Sequence, residues 1–410
     1  MNNIAAPDLL EKPKIGLLLP GGGARAAYQV GVLKGIAEIV KTGSKSPFEI
    51  LSGTSAGAIN AIALGTQAYH FTNGIRWLEA LWRQLSIEHV YRTDLSGISL
   101  NALRLAGSLF NANIAQDERP VALLDNVPLR EFLRRELNFN PLSENIRNGH
   151  VEAVCITAMN YSEGKSVSFY QGGPQHTPWE RWRRQGIPAP LELRHIMAST
   201  AIPTIFPPQR IGNHYYGDGA LRQLAPLSSA LHLGAEKILV IPPTGHKRNY
   251  VKPIRKPSSP AFGQIIGHLL NSAFVDSIAN DIELLQRINE LLKLVPPEKW
   301  DETTRPLKPV DILVISPTRD IDTLAEKHVK SLPFSLRLFL SRTRSGDYSG
   351  GVNVASYLLF CKPFVDELIE LGYRDAMRME DEISEFLTSN ICSLKNQSDY
   401  ITQANSLFDE

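Results

Sequence analysis

The chain has 410 residues, a formal net charge of +1 and a charged fraction of 21%. This length allows one large core or two ordinary ones, and the balanced charge excludes a general attraction to nucleic acid or to anionic membranes. Three widely spaced cysteines, Cys155, Cys361 and Cys392, lack the spacing of a zinc site and fit a reducing compartment. Because we find neither a signal peptide nor an apolar run of membrane-spanning length, we expect a cytoplasmic protein without a transmembrane helix.

The first part of the chain alternates strand and helix patterns. A short apolar run at 14–20 leads through glycines into helical spacing over 27–40, and strand and helix recur at 48–52 and 56–64. This alternation predicts an α/β fold with a parallel sheet.

Later elements follow from the same patterns. We predict strands at 151–160, 166–170, 214–216, 237–241 and 310–316, the second antiparallel to the first and the last at a sheet edge; helices are predicted at 75–85, 123–137, 191–199, 227–233, 265–292, 353–371 and 374–387. Residues 242–260 are rich in Pro, Lys, Arg and Ser, which predicts a surface loop and a domain boundary. The expected domains are 14–241 and a mainly helical C-terminal extension, 242–410, packed on the first.

One serine has the setting of a nucleophile. Gly53-Thr54-Ser55-Ala56-Gly57 has the pattern G-x-S-x-G between a predicted strand and a helix, as in a nucleophile elbow. Glycines suit such a turn because the flanking backbone comes too close for a Cβ. Taken alone, the pattern is also that of an ordinary turn.

A glycine loop precedes the elbow by one strand and allows four interpretations. A dinucleotide site needs an acidic residue at the end of the second strand, where Gly53 stands, and a P-loop needs Gly-Lys-Ser/Thr, which is missing. A plain strand-to-helix turn stays open. In the fourth interpretation, successive N–H groups form an anion-binding nest that could hold an oxyanion beside Ser55. The loop residues are Gly21, Gly22, Gly23, Ala24 and Arg25, with Arg25 adding a positive charge, locking the loop by hydrogen bonds or lying on the surface.

The base that activates the serine is predicted to be Asp218. Asp218 follows an apolar-aromatic strand, and Gly217 and Gly219 on either side, with Ala220 next, let the carboxylate approach another backbone closely. A Gly-Asp-Gly turn without chemistry is the alternative. The four histidines after Asp218 do not lie at evident strand ends: His232, His246, His268 and His328.

Together these motifs resemble the patatin-like phospholipase family. The resemblance rests on Gly21–Ala26 with Arg25, on the elbow around Ser55 and on Asp218-Gly219-Ala220, in this order within residues 14–241. It implies a three-layer α/β/α fold with a mostly parallel central sheet, followed here by the mainly helical extension. One departure is Ala26, where the family usually has a third glycine; we expect the next helix to sit slightly further out.

The resemblance also implies a function. Ser55 would be the nucleophile, Asp218 the base and Gly21–Ala24 the oxyanion loop of a lipid acyl hydrolase that uses no metal and no cofactor. An acyltransferase with the same dyad, and a non-catalytic membrane-binding or partner-binding protein, are the alternatives. The expected partner is a lipid substrate rather than nucleic acid.

Two segments could bring the protein to a lipid surface. Residues 333–340 are apolar with arginines nearby, and residues 178–184 mix tryptophan with arginine, as interfacial anchors do. Packing of the same residues on the core, with solvated arginines, is the alternative for both. We therefore expect peripheral membrane contact at most.

Overall fold

A computed structural model describes residues 12–40, 45–94, 122–244, 272–296, 308–334 and 351–389, with a few single positions between these ranges. Within them, ten strands form one mixed sheet in the order β10-β9-β1-β2-β3-β4-β6-β5, and β8 pairs with both β3 and β7. The strands are β1 Ile15–Leu19, β2 Ile50–Thr54, β3 Ala153–Asn160, β4 Lys165–Gly172, β5 Trp179–Arg181, β6 Arg184–Pro188, β7 Gln209–Ile211, β8 His214–Asp218, β9 Lys237–Val240 and β10 Asp311–Val314.

Helices surround this sheet. The first group is α1 Ala27–Val40, α2 Ala56–Thr66, α3 Phe71–Gln84, α4 Ile87–Val90, α5 Val127–Glu136, α6 Asn140–Arg147, α7 Leu193–Ser199 and α8 Ser228–His232. The second group, beyond residue 241, is α9 Ser277–Leu294, α10 Ile321–Glu326, α11 Gly351–Leu358, α12 Lys362–Arg378 and α13 Glu380–Thr388.

The predicted α/β fold with a mostly parallel sheet is confirmed. Strands β10, β9, β1, β2 and β3 pair in parallel with their neighbours, and β4 is antiparallel to β3, as the sequence predicts. Each of β1 and β2 is buried along its whole length. This burial explains why both segments are continuous apolar or small-residue runs rather than alternating ones.

Two predictions in the C-terminal half are wrong. The helix predicted over 353–371 breaks at residues 359–361, because Pro363 begins a new helix, α12, which then continues through Gly372 to Arg378. The surface loop predicted from residue 242 begins with three buried residues, Pro242, Pro243 and Thr244. Its remainder, 245–260, lies outside the described residues.

The register of β3 places the candidate site. Strand β2 pairs with the first part of β3 and ends with Thr54 opposite Thr157. Strand β8 then takes the same side of β3, with Asp218 opposite Ala158. The end of β8 therefore meets the end of β2, and the residues that follow Thr54 lie beside Asp218.

The C-terminal part is built into the same layers. Strand β10 extends the sheet at its edge next to β9, and α12 packs along α1 so closely that a Cβ on Gly31 would lie well under 3.0 Å from the Ile369 carbonyl oxygen. The division into domains at residue 241 stays a prediction, but residues on both sides of it share one sheet.

A buried lysine ties the last helix to the sheet. Lys237, at the start of β9, is fully buried, and its Nζ donates to the carbonyl oxygens of Phe386 and Ser389 and to the Ser389 hydroxyl. These acceptors lie at the carboxyl end of α13, where helix carbonyls have no intrahelical donor.

Replacing this lysine should weaken the fold. Lys237→Met keeps the apolar stem but leaves the partly buried helix-end oxygens without their donor, so the free energy of unfolding should fall by roughly 1–3 kcal/mol. Urea unfolding measures the change. Lys362→Met, which removes a solvent-exposed pair with Asp366, is the matched control and should change stability by less than about 0.5 kcal/mol. Equal effects of the two variants would contradict the proposed role of Lys237.

Candidate active site

Ser55 sits on a strained turn between β2 and α2. Its backbone has φ 54° and ψ −129°, a conformation that side-chain-bearing residues rarely adopt. The residue before it ends β2 and the residue after it begins α2, so the serine stands at the carboxyl edge of the sheet. This is the geometry that the G-x-S-x-G pattern predicts for a nucleophile elbow.

The glycines of the elbow allow the close packing that the turn requires. A Cβ on Gly57 would lie well under 3.0 Å from the Leu19 carbonyl oxygen of β1, and a Cβ on Gly53 would meet the backbone of Gly57 and Ala58. Both glycines thus lie where a Cβ would collide with neighbouring backbone. Thr54, the last residue of β2, is buried and donates its hydroxyl proton to Gln223 Oε1 at 2.7 Å.

A second serine, which the sequence analysis did not single out, supports the elbow. The Ser55 N–H donates to Ser199 Oγ at 2.8 Å, and the Ser199 hydroxyl donates to the Thr157 carbonyl oxygen at 2.6 Å. Ser199 is the last residue of α7, and no pattern in the sequence marks it. These two bonds fix the strained backbone of Ser55 to strand β3.

Asp218 lies at the end of β8 with no exposed surface. Its Oδ1 accepts a hydrogen bond from the Ala220 N–H at 3.0 Å, which begins a short helical turn at Gly219. A Cβ on Gly219 would lie well under 3.0 Å from the Thr157 carbonyl oxygen, so only glycine lets the turn pack against β3 here.

The Ser55 hydroxyl lies close to Asp218. Burial raises the pKa of Asp218 from 3.8 to about 7, against smaller lowering effects from the Ser55 hydroxyl and the Ala220 N–H. Within the described chain, Asp218 Oδ2 has no hydrogen bond of regular geometry. The serine–aspartate contact is therefore loose, as such contacts often are before substrate binds.

The glycine loop lies directly against the serine. A Cβ on Gly21 would stand 2.8 Å from the Ser55 Cβ, and Gly23 lines the same cavity as Ser55. The loop leads into a short 3-10 helix, Gly23–Ala26, whose first internal bond is made by the Arg25 N–H to the Gly22 carbonyl. The N–H groups of Gly22, Gly23 and Ala24 donate to no acceptor in the described part of the chain.

The Arg25 side chain holds the loop by hydrogen bonds, the second of the three alternatives predicted for it. It is 2% exposed. Its Nε and Nη2 donate to Ser356 Oγ at 2.9 and 2.6 Å, and Nη2 also bonds Asp322 Oδ1 at 2.6 Å. The guanidinium thus locks the loop to the C-terminal part, and the surface interpretation of this residue is wrong.

An apolar cavity opens beside Ser55 and has a volume of only about 30 Å³. This is room for a water molecule or two rather than for a hydrocarbon chain. Its walls are Gly23, Ser55, Ala56, Ile59, Leu85, Val90, Leu129, Thr200, Ile202, Phe206, Tyr357 and Phe360.

The histidines considered from the sequence have other surroundings. His232 stacks on Trp179, and His328 Nε2 lies 3.0 Å from Glu367 Oε2, while His246 lies outside the described residues. His195, which precedes Asp218, is buried in α7, where its Nδ1 accepts from the Glu192 N–H and burial lowers its pKa to about 4. Among the described residues, no group of three His, Cys, Asp or Glu side chains could hold a metal ion.

None of the helices that the structure describes is long and apolar enough to cross a bilayer. Of the two candidate lipid-contact segments, 333–340 is described only in part, because residues 335 and 338–340 lie outside the described residues. In the segment 178–184, Trp182 is 83% exposed, whereas Trp179 stacks on Tyr170.

Comparison with known proteins gives a family match. The sequence model of a family described as patatin-like phospholipase matches residues 17–231. A curated relative, the cGAMP-activated phospholipase of Pseudomonas aeruginosa, is 25% identical over 216 residues, which are 53% of this chain and 55% of the relative. The chain therefore matches only about half the length of that relative.

Two solved structures show weaker similarity. Human GIVD cytosolic phospholipase A2, in complex with methyl γ-linolenyl fluorophosphonate, aligns with a TM-score of 0.42 and 12% identity over 93% of this chain and 60% of that one. ExoU of Pseudomonas aeruginosa, in complex with SpcU, aligns with a TM-score of 0.25 and 12% identity over 96% of this chain and 90% of that one. The family assignment rests on the sequence match.

The buried carboxylate should make stability depend on pH. Because the pKa of Asp218 is about 7 in the folded protein and near its ordinary value when unfolded, the unfolded state loses this proton first as pH rises. Stability is therefore lost between about pH 4 and 7. Asp218→Asn has no such loss. In urea unfolding, its free energy of unfolding relative to that of wild type should therefore rise by roughly 1–3 kcal/mol from pH 5 to pH 8. A pH-independent difference would contradict the raised pKa.

Proposed function

Because the chain belongs to the patatin-like phospholipase family, we propose that it hydrolyses carboxylic ester bonds of lipids with Ser55 as nucleophile and Asp218 as base. The observation that carries the proposal is the contact of a serine on a strained elbow with a fully buried carboxylate, beneath a loop with unpaired N–H groups.

Asp218 has the properties that a general base needs. A serine hydroxyl is a weak nucleophile until its proton is accepted. Oδ1 of Asp218 is occupied by the Ala220 N–H, so Oδ2 is the oxygen available for the Ser55 proton. A pKa of about 7 keeps much of the carboxylate ionised near neutral pH, yet makes it basic enough to share a proton.

The reaction then proceeds in two halves. Ser55 Oγ attacks the ester carbonyl carbon while Asp218 takes the hydroxyl proton, and the tetrahedral oxyanion collapses as the alcohol leaves with that proton. Water attacks the acyl-serine in the second half, again giving its proton to Asp218. The carboxylic acid is released and Ser55 is regenerated.

The glycine loop supplies the oxyanion hole. The N–H groups of Gly22, Gly23 and Ala24 are without acceptors in the described chain, at the start of a helical turn that lies against Ser55. Such fixed donors stabilise the charge that develops on the carbonyl oxygen, and losing one donor typically lowers the rate by about 10²–10³. The Ser55 N–H is bonded to Ser199 and does not take part.

The apolar cavity is the proposed site of the acyl chain. It starts at Ser55 and is walled mostly by aliphatic and aromatic side chains, among them Leu129, Phe206 and Phe360. Its present volume of about 30 Å³ is too small for a lipid chain. Binding must therefore displace some of these side chains.

A hairpin tip at the same edge of the sheet is the proposed lipid contact. Strand β4 begins opposite the carboxyl end of β3, and β6 begins beside it, with Ser166 opposite Arg184. The turn between β5 and β6 therefore projects from the edge that carries Ser55. It holds Trp182, whose ring lies 5.2 Å from the Arg183 guanidinium carbon, and this pairing of an aromatic ring with cations suits an anionic lipid surface.

Substitution of the dyad should abolish turnover. Ser55→Ala and Asp218→Asn should each lower kcat for a lipid ester by at least about 10³-fold, because nucleophile and base act in one step. A fluorophosphonate probe should label wild type at Ser55, located by peptide mass spectrometry, and leave Ser55→Ala unlabelled. Ser229→Ala is the control and should keep most activity, because Ser229 is a buried serine that bonds Ser52 of β2 and not Ser55.

The pH profile tests the base separately. In wild type, kcat/KM should rise with pH and reach half its plateau near pH 7, since only ionised Asp218 accepts the proton and its pKa is about 7. Asp218→Asn protein that kept most of its esterase activity would rule out the dyad. Product analysis with and without a glycerolipid acceptor distinguishes hydrolysis from acyl transfer.

Trp182→Ala should weaken binding to vesicles of phosphatidylglycerol. Loss of one interfacial tryptophan should lower the partition coefficient by roughly 5–10-fold, measured by co-sedimentation. Tyr69→Ala is the matched control, because Tyr69 is 53% exposed and packs on His150, ahead of β3, at the opposite edge of the sheet. Equal binding of wild type and Trp182→Ala would remove the hairpin tip from the proposal.

A further inference from the structure

Each glycine of the oxyanion loop is covered by a residue from beyond the family-matched range, 17–231. A Cβ on Gly21 would collide with the Phe274 ring, one on Gly22 with the Pro243 ring, and one on Gly23 with the Tyr357 carbonyl oxygen. The backbone of the loop is thus enclosed by the C-terminal part of the chain, which leaves it little freedom to move.

Arg25 is the polar link between this loop and the C-terminal part. Its guanidinium bonds Ser356 of α11 and Asp322 of α10, and the Ser356 hydroxyl donates in turn to Asp322 Oδ1 at 2.9 Å. The Tyr357 ring lies 4.0 Å from the Arg25 guanidinium carbon. Arg25 and Ser356 are both buried, and hydrogen bonds between charged groups are stronger where water is excluded.

Few covalent bonds separate the Arg25 side chain from the loop N–H groups. Arg25 follows Ala24 directly in the 3-10 helix, and its own N–H bonds the Gly22 carbonyl at 3.1 Å. A shift of the guanidinium therefore moves the peptide units whose N–H groups form the proposed hole. Oxyanion stabilisation depends on donors held about 3 Å from the developing charge, so a small displacement lowers the rate.

We propose that Asp322 and Ser356 are positioning residues that hold the oxyanion loop through Arg25, so that the part of the chain after residue 231 sets the turnover rate of the site. The proposal rests on the proposed function, since it concerns the transition state of the same reaction. It assigns a kinetic role to residues that contact neither substrate nor Ser55.

The role predicts a particular kinetic pattern. A misplaced oxyanion donor weakens binding of the transition state but not of the ground-state ester. Asp322→Asn and Ser356→Ala should each lower kcat about 10-fold with little change in KM. The Ki of a trifluoromethyl ketone lipid analogue, which forms a tetrahedral oxyanion on the serine, should rise by about the same factor. Because both residues act through one guanidinium, the double variant should lose less than the product of the single losses.

The experiment uses the full chain and compares these variants with Asp366→Asn. Asp366 of α12 also bridges to an arginine of the first part, Arg83, but at the surface and away from the loop. This control should keep wild-type kcat and Ki, and Asp322→Glu should recover part of the loss caused by Asp322→Asn. Melting temperatures show whether each variant is folded at the assay temperature.

The outcomes separate the proposals. Unchanged kcat and Ki in folded Asp322→Asn or Ser356→Ala would overturn the positioning role, as would a rise in KM alone. Should Asp322→Asn fail to fold, Ser356→Ala decides the matter, since it removes the acceptor of Arg25 Nε and leaves every charge in place. Failure of the proposed function would appear elsewhere, as activity or probe labelling that survives in Ser55→Ala.

Discussion

Three backbone segments meet at the end of β2 at distances that exclude a Cβ, and the site depends on this contact. Gly57 of the elbow lies against the Leu19 carbonyl of β1, and Gly219 lies against the Thr157 carbonyl of β3. Because β8 continues along β3 where β2 stops, the same contact puts Asp218 beside Ser55. A side chain at either glycine would push one strand end away and separate Ser55 from Asp218.

Close packing also gives Asp218 its chemistry. The carboxylate has no exposed surface, and burial is the largest influence on its pKa, ahead of the two hydrogen bonds that favour the charged form. An exposed aspartate would be ionised at neutral pH but too weak a base to take a serine proton. Burial raises its basicity and at the same time makes the folded state less stable once the carboxylate ionises. Reactivity and instability here have a single physical cause.

Local pattern predicts much of the fold and the positions of the motifs. The α/β alternation, the parallel order of β1 and β2 and the elbow at Ser55 follow from apolar runs, glycines and helical spacing. Long-range contacts are what the sequence could not show. A glycine such as Gly372 is typical of a helix break, yet it lies inside α12. Its missing side chain lets α12 approach the Tyr28 carbonyl of α1. Likewise Ser199 is an ordinary helix-end serine until the fold places it under Ser55.

The glycine loop shows why a motif alone does not determine a site. Its N–H groups are unpaired within the described chain because the loop begins a helical turn, and this property is local. Where those groups point depends on Phe274, Pro243 and Tyr357, which cover the loop, and on the Arg25 link to Asp322 and Ser356. An unpaired donor has catalytic value only if it is held still, since a mobile one must be ordered during the reaction. Rigidity at Gly21–Ala24 thus comes from residues far along the chain, Pro243, Phe274 and Tyr357 among them, so it belongs to the whole fold.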